Sequence, residues 1–445
     1  MFITTRITRP VMANIILTTQ GCSANMRESE LMAGLLQREG HEVRHRNGAK
    51  EQEPDVHIVN ICTVKKDSTP LREIQRIRRE HPRAKVVVAG CITDSIVPKI
   101  KAIDGGISFV NTHHFGKINA VVEQSLSGNQ LELLGKTYEV KAGLPSVRKN
   151  PVIGIVPILN GCNYFCTFCS TKLVKGKLFS YPMDAIRNDV KRHVQAGCRE
   201  IWITSNDTGA YMVEQGGKQR IAELLETVCS IPMDFKVRVG MMNPGNTLPI
   251  LDDLIAAYKN PKMFKFLHIP LQAGNNGILK QMNRQYTVEQ FLHVVDAFRK
   301  GIPGIALSTD IIVGFPGETE EQFQDTLDII RKVKFDIINI SRHSARDGTL
   351  SAKMKQIPPW KAKERSRALT TLQEGISLES NKKWLGWQGT VLIDEQGKNG
   401  TWIGRNDCYK PVIVEGSYAL GQDAEAKIVG ATPYDLRGEA VPFPR

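Results

Sequence analysis

Acidic residues are in short supply in this 445-residue chain: 46 Asp and Glu stand against 59 Lys and Arg, for a net charge of +13. That surplus points to a polyanionic partner, nucleic acid first; the plain alternative is a basic enzyme whose charge serves solubility. Long apolar runs are missing. The longest, Ile153 to Leu159, contains a Pro and a Gly and reads as a buried strand, so no membrane-spanning helix of about 18 residues is expected. Cysteines number nine, too few for a disulfide scaffold of this length. Met1 to Asn14 carries Arg6 and Arg9 but no apolar core or cleavage site, so no signal peptide is read there and a cytoplasmic location is expected. Repeats and low-complexity tracts are also lacking. What is present is ordinary globular composition, 41% hydrophobic and 24% charged, which excludes a disordered or collagen-like chain.

The pattern predicts an α/β multidomain protein. Asn14–Thr19, Val56–Asn60 and Lys85–Ala89 read as apolar strands separated by helices at Arg27–Gly40 and from Ser68 onward. Such alternation makes a doubly wound parallel sheet, assigned to residues 13–135. Residues 136–151 read as a linker. Strands near 152–159, 200–205, 235–239, 264–269, 305–313 and 335–340 predict a complete or partial (β/α) barrel within residues 150–380. From 384 to 445 short strands between Gly, Asn and Asp turns predict a small β-barrel.

Cysteine placement carries the chemistry. Cys162, Cys166 and Cys169 form Cys-x3-Cys-x2-Cys on the loop after the first barrel strand. Three thiolates at this spacing suit three corners of a [4Fe–4S] cluster and leave the fourth iron open to a small molecule. Zinc would want a fourth ligand, and no His or further Cys lies nearby in the sequence. Cys22, Cys62 and Cys91 each follow a strand of the N-terminal sheet. Ligands bind at the carboxyl ends of parallel strands, so these three thiols either converge on one site or are unrelated buried cysteines.

The loop Gly161-Cys162-Asn163-Tyr164-Phe165-Cys166-Thr167-Phe168-Cys169 resembles the signature of radical S-adenosylmethionine enzymes. The segments Thr19–Asn25, Val59–Lys65 and Val88–Cys91 resemble the N-terminal domain of the methylthiotransferases within that superfamily. That resemblance implies a second, auxiliary [4Fe–4S] cluster on Cys22, Cys62 and Cys91. His268–Gly274 and Asp310–Thr319 resemble the family's loops near S-adenosylmethionine, and Asn406–Val414 with Gly421 and Val429 resembles a TRAM domain, a small RNA-binding barrel. The last module carries eight basic and eight acidic residues from Asn381 to Arg445. RNA contact there rests on a local patch or on stacking by Trp402 or Tyr409.

The stretch Cys169-Ser170-Thr171-Lys172-Leu173-Val174-Lys175-Gly176-Lys177 resembles the archaeal and eukaryotic branch acting on N6-threonylcarbamoyladenosine at position 37 of tRNA. Gln20, Asn206 and Arg346-Asp347-Gly348-Thr349 depart from the family pattern. The resemblance implies that S-adenosylmethionine serves twice, as methyl donor and as source of a 5′-deoxyadenosyl radical that attacks C2 of the base. The expected catalytic and metal-holding residues are Cys22, Cys62, Cys91, Cys162, Cys166 and Cys169. Phe168, Glu200, Arg238, Gln272 and Gly314 are expected at the S-adenosylmethionine, and Lys172 and Lys175 at the substrate. Expected partners are the tRNA anticodon loop, an electron donor such as a ferredoxin or flavodoxin, and a sulfur donor. The basic runs Arg72, Arg76, Arg79, Arg83 and Lys361, Lys363, Arg365, Arg367 are candidate phosphate contacts. Alternatives are methylthiolation of a ribosomal-protein side chain or of isopentenyladenosine, and a non-catalytic tRNA-binding iron–sulfur protein.

Overall fold

The computed structural model describes residues 12–46, 52–64 and 66–441; Arg6, Arg9, Lys65 and the last four residues lie outside them. The chain forms two compact units: Met1–Lys149 with Leu173–Gly176, and Asn150–Lys172 with Lys177–Arg445. No helix among the described residues is long and apolar enough to cross a membrane.

The first unit is a parallel sheet of β1 (Asn14–Thr19), β2 (Glu42–His45), β3 (Val56–Ile61), β4 (Lys85–Gly90), β5 (Ser108–Asn111) and β6 (Glu132–Leu133), in the order β2-β1-β3-β4-β5-β6. Its strands are apolar because helices cover both faces. Leu31, Leu35 and Leu36 pack with Ile15, Leu17 and Ile58 on one face, while Ile74 and Ile77 pack with Val59, Val86 and Val88 on the other. The strand order reverses between β1 and β3, the kind of switch point where open sheets bind ligands. Strands β2, β5 and β6 are too short to stand out as sequence periodicities. Residues 136–149, expected as part of a linker, instead pack on this unit: Lys141 is buried, and the Val147 amide donates to the Glu30 carbonyl at 2.9 Å.

The second unit opens with β7 (Ile153–Pro157), followed by β8 (Leu159–Asn160), which pairs antiparallel with β9 (Phe179–Ser180) across the intervening cysteine loop. Strands β10 (Glu200–Thr204), β11 (Lys236–Val239), β12 (Phe266–His268), β13 (Ala306–Val313) and β14 (Ile337–Arg342) complete the parallel set. They pair as β7-β10-β11 and β12-β13-β14, and a single parallel bridge from Val237 to Met263 joins the two halves into a partial barrel. Helix Pro359–Lys382 follows. The chain then closes a five-stranded barrel from β15 (Gln388–Gln396), β16 (Thr401–Arg405), β17 (Pro411–Glu415), β18 (Asp423–Ala431) and β19 (Leu436–Ala440). Val391, Ile393, Val412, Val414 and Ile428 fill it.

Candidate active site

In the first unit Cys62 and Cys91 directly follow β3 and β4, and Cys22 follows β1 after a tight turn at Gly21. The turn needs glycine twice over. Its φ is +124°, and a Cβ there would lie 2.6 Å from the Cys62 Cβ. The structure thus brings Cys22 against Cys62. Two buried asparagines lock the loops: Asn25 Nδ2 donates to the Ile61 carbonyl at 3.0 Å and Asn60 Nδ2 to the Asn25 carbonyl at 2.8 Å. The Cys22 thiol donates to Asn25 Oδ1 at 3.5 Å. A hydrogen bond with Cys62 pulls the Cys22 thiol down to about 6, aided by the Asn25 backbone amide and the charge of Lys175. The same bond pushes Cys62 up, and burial pushes Cys91 up.

In the second unit the loop after β7 and β8 presents Cys162, Cys166 and Cys169, all half-buried, with Phe168 beside them. Residues at the end of helix Asn276–Gln281 hold it. Asn283 Nδ2 donates to the Phe165 carbonyl at 2.8 Å, and the Thr167 amide to the Met282 carbonyl at 3.1 Å. Arg284 Nη1 donates to Cys166 Sγ at 3.3 Å. Burial raises the Cys166 thiol, and the guanidinium works against that rise; burial, with the charges of Asp207, Cys166 and Cys169 adding to it, pushes Cys162 up to about 12 against the Tyr164 amide. Asp207 is fully buried and accepts from Asn246 Nδ2 at 2.7 Å and the Asn243 amide at 2.9 Å. Burial still lifts its carboxyl to about 6. Arg284, Asp207, Asn25 and Asn60 escape sequence reasoning because none sits at a ligand spacing.

Strand register corrects two expected S-adenosylmethionine contacts. The cysteine loop follows Pro157, which pairs with Thr204. Glu200 pairs with Ile153, at the opposite, amino end of the strands. There it accepts from Tyr409 Oη at 2.8 Å and from the Trp202 indole. Arg238 pairs with Trp202 in mid-strand and lies 5.2 Å over the Tyr409 ring. Tyr409, a candidate RNA-stacking residue in the sequence, is therefore buried and seals the base of the partial barrel. Trp402 is partly buried against the small barrel's core and donates to the Gly416 carbonyl at 3.2 Å.

The remaining expected residues separate similarly. Gln272 sits beyond β12 in the left-handed region at φ +68°, with its amide bonded to the Asp310 carbonyl at 2.8 Å. Gly314 spends its amide on Glu318 Oε2 at 2.8 Å, and a Cβ there would lie 2.7 Å from the Ala362 Cβ, so it serves packing. Lys172 Nζ lies 4.4 Å over the exposed Phe165 ring and donates to the Cys162 carbonyl. Lys175 is only 4% exposed and pairs with Glu28 at 2.8 Å. It is out of reach of a substrate, a correction that its neighbours on the sequence gave no means to foresee. Arg365 is likewise no surface phosphate contact: it is 2% exposed and bonded to Glu318 at 2.7 Å. Arg76 and Arg83 are engaged by Glu73, Glu80 and Glu53. Cys198, Cys229 and Cys408 are buried packing residues.

The donor sets fit soft metal clusters and an amino-acid-bearing cofactor. In the first unit Cys22 meets Cys62, and the Asn25 side chain contacts both Cys22 Sγ at 3.5 Å and Cys91 Sγ at 4.0 Å; in the second unit Cys162, Cys166 and Cys169 share one loop, and a cluster takes one thiolate per iron. Among the described residues no group of three or more His, Cys, Asp or Glu side chains is placed to hold a metal ion. Gln272 Oε1 and Arg284 Nη2 are buried with no hydrogen-bond partner among the described residues, which leaves one acceptor and one donor for a bound polar molecule.

A partial barrel with a three-cysteine loop after its first strand defines the class. Residues 156–362 match the Radical SAM superfamily, residues 14–111 match Uncharacterized protein family UPF0004, and residues 386–441 match the TRAM domain. The solved radical S-adenosylmethionine methyltransferase TsrM from Kitasatospora setae shares the fold at TM-score 0.54 and 14% identity, over 88% of this chain and 80% of its own. At closer range, a probable threonylcarbamoyladenosine tRNA methylthiotransferase of Archaeoglobus fulgidus is 40% identical over 93% of this chain and 95% of its own. The human threonylcarbamoyladenosine tRNA methylthiotransferase is 33% identical over 98% of this chain and 75% of its own. The chain belongs to the threonylcarbamoyladenosine tRNA methylthiotransferase family.

Proposed function

We propose that the chain converts N6-threonylcarbamoyladenosine at position 37 of tRNA to its 2-methylthio derivative. The observation that carries this reading is the presence of two separate three-cysteine sets on a chain whose relatives, aligned nearly end to end, bear that name. Cys162, Cys166 and Cys169 hold one [4Fe–4S] cluster and Cys22, Cys62 and Cys91 a second. When bound, the clusters supply the electron that cleaves S-adenosylmethionine and an open iron for sulfur.

The chain's own residues do the rest. Arg284 fixes the Cys166 thiolate by a charge-assisted bond. Phe168 and Gln272 line the S-adenosylmethionine site, where the unpartnered Gln272 carbonyl accepts from the cofactor. Asp207 holds Asn243 and Asn246 in place beneath the cysteine loop. Lys172 stands nearest the substrate. Residues 13–135 carry the sulfur site, 150–380 the radical site and 384–445 a grip on tRNA. The target base leaves the anticodon-loop stack to reach the site. A ferredoxin or flavodoxin donates electrons, a separate donor supplies sulfur, and the cytoplasm keeps the nine free thiols reduced.

The test is incubation of the reconstituted chain with reductant, S-adenosylmethionine, sulfide and purified tRNA, followed by digestion to nucleosides and mass spectrometry. The expected product is the threonylcarbamoyl nucleoside heavier by one methylthio group less one hydrogen. Modification of isopentenyladenosine or of a ribosomal-protein side chain instead, or no 5′-deoxyadenosine at all, overturns the proposal.

A further inference from the structure

Beside the N-terminal cysteines the first unit buries an unbalanced set of charges. Lys141 and Lys175 both direct their ammoniums at one oxygen of Glu28, each at 2.8 Å. Lys141 Nζ also donates to the Thr112 carbonyl at 2.7 Å, and Lys175 Nζ to Thr112 Oγ1 at 2.5 Å. All three charged side chains are at most 8% exposed. Burial pushes the Glu28 carboxyl up, but the two lysines outweigh it and hold it at about 2, so Glu28 is ionised. Two ammoniums against one carboxylate leave an excess of one positive charge. The second carboxylate oxygen, Oε2, has no hydrogen-bond partner among the described residues, so Glu28 is not saturated and still fails to balance its surroundings.

A buried charge without a counter-charge is strongly destabilising. Thr112, which both lysines hold, donates its backbone amide to the Gly90 carbonyl at 2.9 Å, next to Cys91 in the chain, so the excess charge sits at the strand ends that carry the N-terminal cysteines. Three thiolates on a doubly positive [4Fe–4S] core carry one net negative charge, which matches the excess. One-electron reduction makes that cluster more negative still, and a fixed ammonium nearby favours the reduced form.

We propose that Lys175, seated with Lys141 on Glu28, is a positioning residue for the N-terminal cluster, balancing its negative charge and raising its one-electron reduction potential. The inference rests on the two-cluster reading above. It explains why Leu173–Gly176 folds with the first unit although its neighbours in sequence belong to the second.

The experiment uses the full chain carrying Cys162/Cys166/Cys169→Ala, so that only the N-terminal cluster is reconstituted. Iron and sulfide are counted, and the cluster is reduced stepwise with dithionite and mediators while the paramagnetic signal is followed. Lys175→Met is expected to lower the reduced fraction at a fixed potential about tenfold, equivalent to roughly 59 mV for one electron. Lys175→Arg, which keeps the charge, restores it. Glu28→Gln, which adds net positive charge, moves the potential the other way. Loss of iron from Lys175→Met with unchanged far-ultraviolet circular dichroism also supports charge balance. If Lys175→Met does not fold, the Glu28→Gln arm decides alone: an upward shift supports the proposal, and an unchanged or lower potential overturns it. Lys175→Met retaining iron at an unaltered potential overturns it as well. No iron in the parent variant defeats the two-cluster reading itself, a result distinct from an unshifted potential.

Discussion

Replacing Tyr409 separates two contributions at the base of the partial barrel. The ring contacts Phe264 and Phe266 with centroids 4.9 and 5.2 Å away, and Arg238 and Arg405 lie 5.2 and 5.0 Å from it. The hydroxyl donates to Glu200 at 2.8 Å. Tyr409→Phe removes only that bond, worth about 1.5–3 kcal/mol when the acceptor is ionised and about 1 kcal/mol when it is neutral. Tyr409→Ala removes the ring as well and adds about 3–5 kcal/mol.

The cost of the hydroxyl depends on pH. Burial, with Asp394 adding to it, pushes the Glu200 carboxyl from its usual 4.5 to about 7. Folded protein therefore holds this proton more tightly than unfolded protein. The stability linked to Glu200 is complete below the unfolded value and falls as pH rises through about 7. Losing the Tyr409 donor raises the folded value further, so the Tyr409→Phe deficit grows from about pH 6 to about pH 8.5. Urea unfolding at both pH values measures it, and limited proteolysis reports release of the C-terminal barrel. A Tyr409→Ala variant as stable as wild type, or a Tyr409→Phe deficit that shrinks with rising pH, refutes the reasoning.

Two further changes test contacts that bear on the site. Gly274→Ala places a Cβ 2.5 Å from the Thr326 Cα and 2.9 Å from the Asp325 carbonyl oxygen. Helix backbone cannot step aside cheaply, so a loss of about 1–3 kcal/mol is expected from the urea midpoint, and a midpoint equal to wild type contradicts it. Arg365→Met leaves Glu318 buried without its partner and is expected to cost about 3–5 kcal/mol. Its tRNA affinity, read by fluorescence anisotropy under conditions where it stays folded, should match wild type; a loss of affinity there restores Arg365 as a phosphate contact.

The strands that carry the site were legible because each is a dense apolar run. Val56–Asn60 and Lys85–Ala89 read directly as buried strands, and the structure extends each by one residue; the β11–β14 strands lie close to where periodicity put them. Short β2, β5 and β6 were missed because a few residues make no period. The supposed linker at 136–149 misled because Gly and Pro mark irregular backbone without saying whether it is solvated or, as at Lys141, packed.

Sequence by itself determined what depends on local spacing. Cys162, Cys166 and Cys169 fall on one loop, so their shared purpose is written in the intervals between them, and the strand ends carrying Cys22, Cys62 and Cys91 could be located one at a time. Tertiary structure alone decided the fate of the charged residues. Glu200 and Arg238 lie toward the base of the barrel because register, not residue type, sets which end of a strand a side chain occupies. Lys175 and Arg365 look like solvated cations in the sequence and are buried in the fold. An ammonium or guanidinium enters a core only against a counter-charge, and for Lys175 that counter-charge is Glu28, far away along the chain and adjacent only once the sheet has formed.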